Sequence, residues 1–139
     1  MKSQRIMALD VGLKRTGVAF ATRGIHGAPR ALGHIPVNNG HHNWQTLDDF
    51  VQEWQPDHII IGATSEHDPA LKKARNRVVA YLQQQHRISP QLVDETLSTV
   101  AANQWMHDYA VSHSQRGNLR DAIAACIILE TWLDANPPD

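Results

Sequence analysis

A single cysteine among 139 residues rules out an intramolecular disulfide. Cys126 lies inside the apolar run 122–129 and reads as a buried core thiol, as expected in a reducing cytoplasm. Long apolar runs are missing too. The run 122–129 is far too short to cross a bilayer. Lys2 and Arg5 are not followed by an apolar segment with a cleavage site, so the expectation is a cytoplasmic protein without membrane contact. Charge of one sign is also lacking, with 13 Lys+Arg against 14 Asp+Glu. That balance argues against strong non-specific attraction to polyanions and leaves only local patches to serve. Nor is there an internal repeat, a low-complexity segment or a linker long enough to separate a second unit. The reading is a single domain, 1–139, large enough for a core of its own. The pair His41-His42 lacks the spaced Cys or His partners of a zinc site.

What is present is organised around the opening stretch Ile6-Met7-Ala8-Leu9-Asp10-Val11-Gly12. Alternation in a strand puts Asp10 on the side of Ile6 and Ala8, while Met7 and Leu9 point the other way. A carboxylate in such a strand is costly to bury unless a cation or a hydrogen-bond donor compensates it. Asp10 is therefore the seed of a metal or phosphate site, or else a strand-end acid bonded to turn amides. Gly12 and Gly17 bracket Lys14-Arg15 and read as a glycine-framed reversal into a second strand.

Further along, 5–12 and 16–23 read as a β-hairpin and 30–37 as a third strand. A polar loop, 38–43, leads to a helix over 44–54 with Leu47, Phe50, Val51 and Trp54 at helical spacing, stopped by Pro56. The β-branched run 58–62 suits an inner parallel strand. Pro69 opens a second helix, with Leu71, Ala74, Val78, Tyr81 and Leu82 on one side and Lys72, Lys73, Arg75 and Arg77 on the other. The basic side reads most simply as a solvated face. A strand ending at Leu92-Val93-Asp94-Glu95, a helix over 98–109 and a last helix over 118–134 complete the chain. The fold class is α/β: a five-stranded mixed sheet, made of a hairpin and third strand followed by two parallel strands, flanked by helices. The four tryptophans sit among apolar residues at helical spacing and read as core.

Ligands in open α/β sheets gather beyond the carboxyl ends of strands. Asp10 sits late in the first strand, Asp94-Glu95 end the last, and Asp121 falls in the first turn of the final helix. The pattern allows these acids to meet at one sheet edge, where an all-oxygen shell would suit Mg²⁺ or Mn²⁺. Such ions stabilise the attacking and leaving oxygens of a phosphodiester displacement. D-x-G turns also cradle phosphates in two-lobed ATPases, but 139 residues supply one lobe.

Asp10-Val11-Gly12-Leu13-Lys14-Arg15-Thr16-Gly17-Val18-Ala19 resembles the DxGxKRxGVA signature of the YqgF family, also called RuvX-like or Holliday-junction-resolvase-like. Asp94-Glu95-Thr96-Leu97-Ser98-Thr99 is similar to its DERLST motif, and 121–129 to its terminal D-x-x-A-A-x-x-I-L helix. The resemblance runs in order from about residue 5 to 133. It implies a ribonuclease H-like fold and a metal-dependent nuclease that processes the 5′ end of precursor 16S rRNA in ribosome biogenesis. The alternatives are a resolvase of branched DNA or a non-catalytic nucleic-acid-binding member. Carried over residue by residue, Asp10, Glu95 and Asp121 would be catalytic and metal-binding. Lys14 and Arg15 are candidates for gripping nucleic acid, as are Arg116 and Arg120 where the family carries lysines. Association with the ribosome is a further expectation, and the sequence leaves both a monomer and a homodimer open. The chain departs from the family at Thr96, usually Arg, and in 63–69, which lack the usual Pro- and Gly-containing loop.

Overall fold

The computed structural model describes residues 4–24, 29–63, 68–94 and 120–137, except for the side chains of Arg120 and Asp121. Its strands are β1 (Gln4–Asp10), β2 (Arg15–Arg23), β3 (Arg30–Asn38), β4 (His41–His42), β5 (His58–Ala63) and β6 (Gln91–Asp94). Its helices are α1 (Trp44–Trp54), α2 (Pro69–Gln85) and α3 (Arg120–Ala135). The helix expected over 98–109 lies outside the described residues.

The strands form one six-stranded sheet in the order β4-β3-β2-β1-β5-β6, one strand more than the sequence suggests. The addition is β4, which falls in the stretch expected to be a polar loop. Asn39 and Gly40 both take positive φ, 53° and 78°, and join the Asn38–His41 pair as a two-residue turn. Asn-Gly is the favoured sequence for such a turn, because both central residues must be left-handed. β1 pairs antiparallel with β2 and parallel with β5, which in turn runs parallel to β6. The central strand thus carries Asp10 at its carboxyl end.

Alternation along the inner strands sorts the core into two halves. Met7, Leu9, Val18, Phe20, Ile59 and Ile61 pack on the side of α1 and α2, against Leu47, Val51, Ala74, Val78 and Leu82. Ile6, Ala8, Ala19, Ala21 and Ile60 pack on the other side, against Ala125, Cys126, Ile128, Leu129 and Trp132 of α3. The alanines on this second face let the helix lie close to the sheet, while the larger side chains fill the first. Cys126 is fully buried as expected, and burial with Glu130 nearby pushes its thiol up to about 12.

Local signals set the helix ends. Asn43 caps α1, its side chain accepting from the Thr46 N–H at 3.2 Å, and Gln55 closes the helix in the left-handed region. Asp68 caps α2 ahead of Pro69, accepting from the Ala70 and Leu71 N–H groups. Replacing Asn43 by Ala leaves a donor of the first turn of α1 without its acceptor. A loss of about 1 kcal/mol is expected in urea unfolding.

Candidate active site

Asp10 closes β1, and its half-buried side chain lies on the sheet face that α3 covers, since it keeps the parity of Ile6 and Ala8. Its partner across the antiparallel ladder is Gly17. Gly17 therefore lies inside β2, as the strand expected over 16–23 implies. On the parallel side the register runs to Leu9–Ile61, so one step further Asp10 has Gly62 beside it. The carboxylate thus stands between two residues that have no side chain. In a pleated sheet the neighbouring side chains would otherwise lie about 5 Å away. A hard oxygen donor in a strip kept clear on both flanks fits a hydrated divalent cation.

The turn after Asp10 presents exposed Lys14 and Arg15. It is fastened to β3 by the Val37 N–H, which donates to the Lys14 carbonyl at 3.0 Å. Gly12 is required there, because a Cβ would fall 2.4 Å from the Arg15 carbonyl oxygen. Gly12→Ala is expected to cost roughly 1–3 kcal/mol through that overlap. Chemical unfolding measures the loss, and a shifted Lys14-Arg15 turn should also weaken nucleic-acid binding.

Behind the turn sits a buried polar pair that sequence reasoning missed. Thr16 is fully buried and His42 is 5% exposed. Thr16 Oγ1 and His42 Nε2 are 2.6 Å apart, and the Gly12 N–H donates to the same hydroxyl at 3.4 Å. Burial first, and then the nearby Arg77 guanidinium, lower His42 from 6.5 to about 4, so the ring is neutral near pH 7. Its Nδ1 has no hydrogen-bond partner among the described residues. A neutral imidazole thus anchors the threonine that holds the Gly12 amide, two residues beyond Asp10. The signal lay in Asn39-Gly40. Once that dipeptide is taken as a hairpin turn, alternation in β4 sends one of the two histidines inward.

The other proposed acids are only partly covered. Glu95 and Arg116 lie outside the described residues, and so do the side chains of Asp121 and Arg120. The backbone of Asp121 is nonetheless placed. The carboxyl end of α3 is tied to the starting end of the sheet: Arg23 donates to the Asn136 carbonyl at 3.2 Å and to the Gln4 side chain. The Trp132 indole reaches Gln91, the first residue of β6, at 3.3 Å. Hence α3 runs antiparallel to β1, and both span roughly 20 Å. The first turn of α3 therefore stands at the end of the sheet where β1 stops. Asp94 ends β6 at that same edge, paired with Ala63. Val93 packs toward α3, so the exposed Asp94 points away from that face. Two strand spacings, roughly 10 Å, separate β1 from β6. Among the described residues no three His, Cys, Asp or Glu side chains converge as a metal centre. Also among them, no helix is long and apolar enough to cross a membrane.

The chain is similar to known proteins over nearly its whole length. Residues 4–135 match the family described as "RuvX: Holliday junction resolvase". A protein of Saccharophagus degradans named "Putative pre-16S rRNA nuclease" is 31% identical over 141 residues, covering 99% of both chains. One of Yersinia enterocolitica with the same name is 33% identical over 138 residues, covering 96% of this chain and 97% of its own. Among solved structures, T. thermophilus RuvC in complex with a Holliday junction substrate superposes with a TM-score of 0.57 at 11% identity, covering 92% of each chain. The fowlpox virus Holliday junction resolvase gives 0.58 at 9% identity, covering 94% of this chain and 98% of its own. At these identities the two structures speak for the ribonuclease H-like fold.

Proposed function

We propose, from the premise that this chain belongs to the RuvX family, that it is a divalent-metal-dependent nuclease acting as a single cytoplasmic domain. Its substrate in this reading is the 5′ end of precursor 16S rRNA. The observation that carries the proposal is the near full-length similarity to relatives named for that activity. Asp10, Glu95 and Asp121 would hold the cation, Mg²⁺ or Mn²⁺. Support comes from the cleared strip around Asp10 and from the course of α3, which brings the backbone of Asp121 to the same end of the sheet. The bound cation would polarise the scissile phosphate and lower the pKa of the attacking water. The chain's own part is to fix the Asp10 carboxylate at a rigid strand end and to hold the phosphate backbone with Lys14, Arg15, Arg116 and Arg120. Lys14 and Arg15 are supported as grips by their exposure on a pinned turn.

The family description favours a second substrate, a four-way DNA junction. Resolving a junction needs two cuts and hence a pair of active sites, whereas trimming an RNA end needs one. The two readings separate when the purified protein is incubated with a structured precursor 16S fragment and with a DNA junction, each with Mg²⁺, Mn²⁺ or EDTA. The expected result is cleavage of the RNA that EDTA abolishes. Cleavage of the junction alone would make the protein a resolvase, and no cleavage of either would leave a binding protein on a nuclease fold.

A further inference from the structure

A cleft of about 560 Å³ opens between the β1–β2 turn, the β3–β4 turn and the first half of α2. Among the described residues the polar side chains lining it are Lys14, Asn38, Asn39, Lys73 and Arg77, and no carboxylate takes part. Lys73 and Arg77 are four residues apart on α2 and share one face of the helix. The Arg77 guanidinium is held in place, donating to the Gly40 carbonyl at 2.9 Å. The turn fits closely against it: a Cβ at Gly40 would lie 2.7 Å from Arg77 Nη1. One N–H of the fork is used in this way, and the guanidinium has others to offer. Among the described residues neither Lys14 nor Lys73 has a carboxylate partner. Three cations are thus gathered round a concave space with no acid among its described lining residues, an arrangement that repels itself until an anion enters.

The geometry points to this cleft as a second backbone-binding subsite, which takes a phosphodiester of the nucleic-acid strand displaced from the one presented to Asp10. This rests on the nuclease reading and extends it. Lys14 links the two places, since it lies on the turn that leaves Asp10 and also lines the cleft. A strand crossing the end of the sheet at Asp10 continues past Lys14 onto Lys73 and Arg77, with the Asn38 and Asn39 side chains beside it. The contact is to phosphate, so it fixes the strand's course without reading its bases.

The test measures binding of a labelled structured RNA and a labelled four-way DNA junction by fluorescence anisotropy across a salt series, with Ca²⁺ in place of Mg²⁺. Lys73→Glu is the informative variant because Lys73 is exposed and its loss leaves the core intact. Lys72→Glu makes the same charge change one residue away, outside the cleft lining. Lys73→Glu should weaken binding about tenfold and lower the slope of log affinity against log salt by about one. Lys72→Glu should stay within about twofold of the parent. A loss with both nucleic acids marks a shared backbone contact, and a loss with one of them names the strand the cleft serves. Binding by Lys73→Glu equal to the parent, or an equal loss in Lys72→Glu, overturns the cleft and leaves the nuclease reading standing. A parent protein that neither binds nor cuts either substrate overturns both.

Discussion

Asp10→Asn is expected to abolish metal-dependent cleavage while leaving the fold in place. The substitution keeps the size and shape of the side chain and removes the charge. Neither Gly17 nor Gly62 carries a side chain beside Asp10 that would need to repack. A neutral amide is a poor ligand for a hard divalent cation. The loss should reach roughly a thousandfold, about 4 kcal/mol of transition-state stabilisation. Thermal unfolding of the variant should stay a single cooperative transition. Multiple-turnover cleavage with Mg²⁺, measured beside thermal unfolding of the same preparation, checks both halves. Cleavage that survives in the variant would take Asp10 out of the reaction.

The second large effect is on stability and comes from His42. Its native value of about 4 lies below the ordinary 6.5 because the neutral ring is buried. Between those values the unfolded chain binds a proton that the native state refuses, so acid favours unfolding. The contribution of His42 is complete above about pH 6.5 and falls away as the pH drops toward 4, by roughly 3 kcal/mol in all. Glu130 works against this trend. Burial and neighbouring Asp134 raise its pKa, so its own cost is relieved as it takes up a proton. Urea midpoints at pH 7 and 4.5 for the parent and for His42→Gln separate the two. The parent should lose far more stability across that interval than the variant. Parallel losses would show that the histidine is not the source.

Periodicity gives much of this fold away. Leu47, Phe50, Val51 and Trp54 with Pro56 beyond them mark α1 over the residues it occupies. The run of isoleucines before Gly62 marks β5, and Pro69 the start of α2. These are local effects, written in neighbouring side chains. Two departures also have local causes. The first strand is expected to run to Gly12, yet it stops at Asp10, because the reversal needs the Gly12 backbone close to the Arg15 carbonyl. Around Asn39-Gly40 the sequence suggests only a loop, because a strand of two residues has no period to detect. The candidate site is legible at Asp10 because a carboxylate interrupts an apolar strand. The buried Thr16–His42 pair and the Lys73–Arg77 cleft are not legible, since each joins elements that meet only through the tertiary fold. The basic side of α2 has the look of an ordinary solvated surface, and only the β3–β4 turn packed on Arg77 makes it part of a cleft.

The central strand is made first and its covering helix last. Ile6 and Ala8 meet Ala125, Leu129 and Trp132 across almost the full length of the chain. Until α3 is made, the strand face that it covers stays wet, while the α1–α2 half of the core holds the other face. Such distant closure is slow and leaves sticky surface exposed in the meantime. If Asp121 joins Asp10 as proposed, the site would be incomplete until α3 packs, so the same late closure that completes the core would also complete the cation's ligands.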